Sequence, residues 1–167
     1  LDLKGIHGIT MPCFGTTNRT YNNSLNLMKN LGISYKDINI KKSVTQHFED
    51  IGHSEDVYDV TYENCQARER TQVLMDYSNK VNGLVIGTGD LSEIFLGWMT
   101  YNGDHMSMYA VNSGVPKTIV KRLVEILKSE FDKETEEVLT DILNTEISPE
   151  LLPPGKNGEI VQQTEKT

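Results

Sequence analysis

Apolar positions recur every three or four residues through several stretches of the chain, and short apolar runs stand between them. Tyr21, Leu25, Met28 and Leu31 share one face of a helix that Asn18 can cap and Gly32 can close. Ser43–Ile51 predicts a short helix ended by Gly52. Asp59 or Thr61 can cap a long one running to about Lys80, with Ala67, Leu74, Tyr77 and Val81 on one face. Pro116 suits the first turn of a further helix with the stripe Ile119, Val120, Leu123, Val124 and Leu127. Val138, Leu139, Ile142 and Leu143 mark another. Strands are expected at Gly5–Met11, Tyr35–Ile40 and Leu84–Ile86, the last set off by Asn82-Gly83. Residues 103–114 read as a loop.

Short strands alternating with helices predict an α/β fold, a parallel sheet covered by helices on both faces. Three strands are few for such a sheet, so part of the fold is expected outside the chain. The start at Leu1, without Met, gives the same expectation of a cut or processed chain. At 167 residues it suits one domain, and 37% hydrophobic with 24% charged residues is an ordinary globular profile. A net charge of -8 argues against a general nucleic-acid binder. The acidic run Asp132, Glu134, Glu136, Glu137, Asp141, Glu146 and Glu150 reads as a solvated helix face and linker. Beyond Pro153-Pro154-Gly155 a polar, flexible tail is expected over residues 153–167. No run approaches the ~18 apolar residues of a membrane span, and no signal-peptide pattern is present. Cys13 and Cys65 lack CxxC spacing and read as free thiols, which points to the cytoplasm. With no secretory signal, the sequons at Asn18 and Asn22 read as chance matches.

Candidate chemistry concentrates at Gly87-Thr-Gly-Asp-Leu-Ser-Glu-Ile-Phe-Leu-Gly-Trp-Met-Thr-Tyr101. A short strand delivers a small-residue turn that opens a helix. Such a junction lets backbone approach a phosphate, Thr88 adds a hydroxyl, and Glu93 can hold Mg²⁺ or a sugar hydroxyl. Asp90 and Glu93 equally form a capping-box pattern, which needs no ligand. The run is not a Rossmann fingerprint, since Ser92 stands at the third glycine position and Asn112 where an acid is wanted. No Walker A sequence and no GxSxG elbow occurs. Asn64 and Arg68, four apart on the long helix, can reach the end of the third strand or serve in helical salt bridges. Trp98 and Tyr101 can stack on a flat ring, or Trp98 can fill the core. Lys117, at a helix start, works against the dipole and fits either a phosphate or solvent. His7, His47, His53 and His105 have no metal-ligand spacing.

Several blocks together resemble the synthetase domain of NAD synthetase, the large glutamine-dependent type. They are Met11–Thr17, Gln46–His53, Asp59–Arg70, Gly87–Tyr101, and Gly103–Tyr109 with Val115–Lys117, in the family's order. The resemblance covers most of residues 5–152 and assigns 1–152 to part of that domain. It implies a Rossmann-like PP-loop ATP pyrophosphatase fold of the adenine nucleotide α-hydrolase type, incomplete in this chain. It also implies amidation of deamido-NAD: ATP adenylates the nicotinate carboxylate, then ammonia displaces AMP, with Mg²⁺ required.

By the same resemblance, deamido-NAD contacts fall on Asn64, Glu93, Trp98, Met99, Thr100 and Tyr101, with Arg68 a looser match. ATP contacts fall on Thr88 and Lys117. Glu93 also stands where relatives place a magnesium ligand. Implied partners are a homo-oligomer and a glutamine amidase domain. The family's Ser-Gly-Gly-x-Asp-Ser loop does not occur in these residues and is expected upstream of Leu1. This chain alone is therefore expected to be inactive in the full reaction. The competing readings are a GMP synthetase relative, also an amidating PP-loop ligase, and a non-catalytic nucleotide-binding or oligomerisation module.

Overall fold

The computed structural model describes residues 2–145 and 151–152. In chain order its elements are β1 (His7–Thr10), α1 (Asn18–Asn30), β2 (Ser34–Asp37), α2 (Lys41–Ile51), α3 (Val60–Val81), β3 (Ile86–Gly87), α4 (Leu91–Leu96), β4 (Tyr109–Ala110), α5 (Lys117–Leu127) and α6 (Lys133–Leu143). They divide into two compact units. One takes the residues up to Lys41 and those from Lys128 on; the other runs from Lys42 to Leu127. The tail expected at 153–167, together with Glu146 and Glu150, lies outside the described residues.

The first unit is built on a β–α–β turn. β1 and β2 pair in parallel, His7 opposite Ser34 through Thr10 opposite Asp37, with α1 as the connection. The helix is capped one residue before the expected position. Thr17, extended at φ -77° and ψ 154°, accepts from the Thr20 N–H, and Asn18 is already helical. A side chain at Gly8 would strike Met28, with Cγ at 2.9 Å, so the missing Cβ is what lets α1 lie close on β1. α6 packs along α1. Arg19 on α1 makes a paired contact to Asp141, Nε–Oδ2 2.9 Å and Nη2–Oδ1 2.7 Å, and Asn23 donates to the same carboxylate. The acidic run is thus more than a solvated face. Asp132 caps α6 by accepting from the Thr135 N–H, and Asp141 is an inter-helix link.

The second unit carries the long helix. Asp59 caps α3, accepting from the N–H groups of Thr61 and Tyr62. Phe48 on α2 stacks on Tyr62 at 5.4 Å, and Tyr58 meets Tyr62 edge-on. This ring cluster pins the first turns of α3, so burial concentrates at Tyr62, Cys65, Gln66 and Ala67. Of the expected stripe only Ala67 is buried. Leu74 and Tyr77 are half-buried and Val81 is exposed. Neither Cys65 nor Cys13 is in a disulfide, and burial raises the Cys65 pKa above its ordinary value. The α5 stripe has the right period, yet Ile119, Leu123 and Leu127 stay exposed in the described structure.

Parallel pairing and α/β order agree with the sequence reading, but the strands form two separate pairs. β3 is only two residues long and pairs in parallel with β4, Ile86 opposite Tyr109. β4 lies in the segment expected to be a loop. It forms because the Val85 carbonyl accepts from the N–H groups of both Met108 and Tyr109. No helix among the described residues is long and apolar enough to cross a membrane.

Candidate functional site

β3 ends in the turn Gly87–Asp90, and α4 starts at once. Both halves of the capping box are present: Asp90 Oδ1 accepts from the Glu93 N–H at 3.0 Å, and the Asp90 N–H donates to Glu93 Oε2 at 3.1 Å. The start of α5 is locked onto this turn. The Leu91 N–H donates to the Val115 carbonyl at 3.1 Å, and the Lys117 N–H donates to Ser92 Oγ at 3.1 Å. The Lys117 ammonium then lies 2.7 Å from Glu93 Oε1 and 3.1 Å from Asp90 Oδ2. A lysine at a helix start, unfavourable for the dipole, has here two carboxylates to offset it.

Charge balance follows from that contact. Burial raises the Asp90 pKa, but hydrogen bonds from the Glu93 N–H and from Lys117 outweigh it and leave the carboxyl below its ordinary range. Burial lowers the Lys117 pKa, but Glu93 and Asp90 together hold the ammonium above its ordinary value. Asp90 and Lys117 are therefore both charged at neutral pH.

After α4 the chain turns back through Gly97, whose φ of +70° suits a residue without a side chain. The turn that follows is tied from both sides. The Thr100 N–H donates to Asp104 Oδ1 at 2.7 Å, and the Thr100 carbonyl accepts from His105 Nδ1 at 2.7 Å. From α3, Asn64 Oδ1 accepts from Thr100 Oγ1 at 2.8 Å, and Arg68 Nε donates to the Tyr101 carbonyl at 3.1 Å. Asn64 and Arg68 thus reach the turn after α4 rather than the end of the strand. Both of these contacts leave the helix, where the simpler reading had salt bridges along it.

A small cleft, partly open to solvent, lies beside Glu93 and beside the residues that flank and bond the Thr100 turn. Gly87, Gly89, Glu93 and Met99 line it, joined by Asp104, His105 and Ser107. Thr88 is exposed on the turn above. Trp98 and Tyr101 are 60% and 76% exposed, so neither fills the core, and the Tyr101 ring stacks on His105 at 5.8 Å. Of the residues singled out from sequence, Asn64, Arg68, Thr100 and Tyr101 are joined by hydrogen bonds, and Glu93 is joined to Lys117. Thr88 and Trp98 flank these groups without a side-chain bond to them. Asp104, His105 and Ser107 were given no role from sequence. They lie within the block Gly103–Tyr109, whose likeness to the family was the one signal that could have pointed to them. Among the described residues no group of three His, Cys, Asp or Glu side chains could hold a metal by itself.

The fold and this arrangement can be set beside known proteins. A family model described as NAD synthase matches residues 1–155. A glutamine-dependent NAD(+) synthetase from Mycobacterium leprae is 44% identical over 96% of this chain and 24% of its own length. Among solved structures, the glutamine-dependent NAD+ synthetase from Acinetobacter baumannii, in complex with ADP, superposes with a TM-score of 0.71. It is 30% identical and covers 79% of this chain and 26% of that one. The NH3-dependent NAD synthetase from Campylobacter jejuni, in complex with nitrate, gives 0.69 at 27% identity, over 80% of this chain and 56% of that one. The chain belongs to the NAD synthase family, and its α/β fold with parallel strands is that of the NAD synthetases. It spans about a quarter of the length of the curated glutamine-dependent relative.

Proposed function

We propose that this chain supplies the deamido-NAD wall and part of the ATP site of an NAD synthetase, a ligase that forms NAD by ATP-dependent amidation. The observation that carries this reading is a cleft lined by Glu93 and by Met99, Asp104 and His105, each side tied to a constellation distant in sequence. Glu93 holds Lys117 on one side. On the other, Asp104 and His105 bond the backbone of Thr100, in the turn that Asn64 and Arg68 brace and that carries Tyr101. The first set suits phosphate charge and the second a polar, flat-ringed ligand.

In the proposed reaction Lys117 and Thr88 face the ATP phosphates. Trp98 and Tyr101 offer open ring faces to the nicotinate ring. Asn64 and Arg68 brace the turn that carries Met99, Thr100 and Tyr101, so the ring is held at one position and angle. Attack of the nicotinate carboxylate oxygen on the α-phosphorus, with pyrophosphate leaving, requires the two reactants in line and the phosphate charge neutralised. Mg²⁺, when bound, supplies part of that neutralisation. One carboxylate plus substrate phosphates is a common donor set for this ion, and Glu93, 29% exposed at the cleft, fits it. Ammonia then displaces AMP from the adenylate. The glutamine-dependent relatives support a glutamine amidase domain as its source; a homo-oligomeric assembly and a cytoplasmic location belong to the same proposal.

Calorimetry on the chain with deamido-NAD, NAD and guanosine-pathway nucleotides tests the reading. Deamido-NAD is expected to bind, and Asn64→Ala and Glu93→Ala to weaken it. Preference for the guanosine-pathway nucleotides would favour a GMP synthetase relative, and no binding of deamido-NAD would reject the proposal.

A further inference from the structure

Lys117 is held by two carboxylates, but the two are not equivalent. Asp90 has a side chain only 6% exposed, and its Oδ1 is fixed by the Glu93 N–H while Oδ2 meets the ammonium. Its rotamer is therefore set by the start of α4 and cannot follow Lys117 elsewhere. Glu93 is 29% exposed, has a longer stem, and turns Oε1 to Lys117 and Oε2 to the Asp90 N–H. Lys117 itself is 41% exposed. Any cation that approaches from the cleft meets Glu93 first and competes with Lys117 for Oε1.

We propose that Asp90 is a positioning residue that keeps the Lys117 ammonium in place beside Glu93 while Glu93, at the cleft, exchanges its lysine contact for a metal ion. An ammonium has three donors, so one bond to Asp90 leaves two for phosphate oxygens. Without Asp90, a cation taking Glu93 would also release Lys117, and ordering that long side chain again would cost rotamer entropy at the moment of binding. With Asp90, the same exchange leaves Lys117 in place. The inference rests on the proposed roles of Glu93 and Lys117 and adds a residue that capping alone would explain only in part.

The test is NMR of the Lys117 ammonium in this chain, its signal assigned by loss in Lys117→Met. Without any metal, Asp90→Asn is expected to speed hydrogen exchange of the ammonium about tenfold or more, the ratio for one lost hydrogen bond between charged groups. Glu93→Gln is expected to change it less. Asp90→Ser, which also keeps an N-cap acceptor, repeats the measurement should the asparagine variant fold poorly. The reverse ranking, or equal effects, would overturn the proposal. Adding Mg²⁺ together with ATP to the wild-type chain, against ATP alone, separates the two claims. A shift of the Glu93 carboxyl carbon with Lys117 still protected supports both. The same shift with Lys117 released overturns the Asp90 role and leaves the metal role standing. An unmoved Glu93 rejects the metal role, and the ranking of the variants still decides whether Asp90 anchors the lysine.

Discussion

Gly87 marks the point where β3, the cleft and β4 come together, and replacing it gives a direct measure of how tightly they are packed. A Cβ built at Gly87 would meet Ser107 Oγ and lie 2.7 Å from Ser107 Cβ, with Ala110 Cα at 3.7 Å. Rotation of Ser107 can move its hydroxyl but not its Cβ, so backbone must shift in Gly87→Ala. Overpacking of this kind costs about 1–3 kcal/mol. At a slope of about 2 kcal/mol per molar urea that is a midpoint lowered by about 0.5–1.5 M. Ser107→Gly removes both clashing atoms at a backbone entropy cost of about 0.5–1 kcal/mol. The double variant should therefore be about as stable as Ser107→Gly alone, with a coupling close to the full cost of the clash. Urea titration of the four proteins of the cycle measures this. A neutral Gly87→Ala, or additivity within about 0.5 kcal/mol, would refute the packing of Ser107 against β3.

Phe48→Ala removes a fully buried ring stacked on Tyr62 and should lower stability by about 3–5 kcal/mol, read by the same titration. Arg19 and Asn23 hold the Asp141 pKa down to about 2. The folded carboxyl thus binds its proton later than the unfolded one. The link contributes stability at neutral pH, and this is lost as pH falls from the ordinary carboxylate range towards 2. Asp141→Asn should flatten the acid limb of the stability profile over that window, and an unchanged limb would argue against the link. Tyr101→Ala should leave stability within about 0.5 kcal/mol, since the ring is exposed, yet weaken deamido-NAD binding about ten- to a hundredfold. Calorimetry and melting curves together check it.

Local rules carried much of the fold into the sequence. Helix ends were legible where capping chemistry is local: Asp59 before α3, Asn82-Gly83 after it, and Asp90 before α4. The Asp90–Glu93 pattern was legible too, but as an alternative to ligand binding. In the structure the box is closed, and the same two carboxylates also hold Lys117, so capping does not exclude a part in the site. That partnership joins residues more than twenty positions apart, and no periodicity reports it. Strand β4 was missed because two residues have no alternation to read, and its pairing depends on the Val85 carbonyl. The α5 stripe predicted burial from its period alone, and a period says nothing about whether a neighbour covers it. The site residues came from likeness to a family rather than from spacing. Spacing placed Asn64 and Arg68 on one face, but only the fold brought that face to Thr100 and Tyr101.

Trp98 is the chain's only tryptophan, and its ring is largely exposed beside the cleft. Its fluorescence therefore reports the proposed nicotinate position without a label. Titration with deamido-NAD should give a saturable change in tryptophan emission that ATP alone does not produce and that Asn64→Ala weakens. Emission indifferent to deamido-NAD, or changed equally by ATP alone, would contradict a deamido-NAD wall at Trp98–Tyr101.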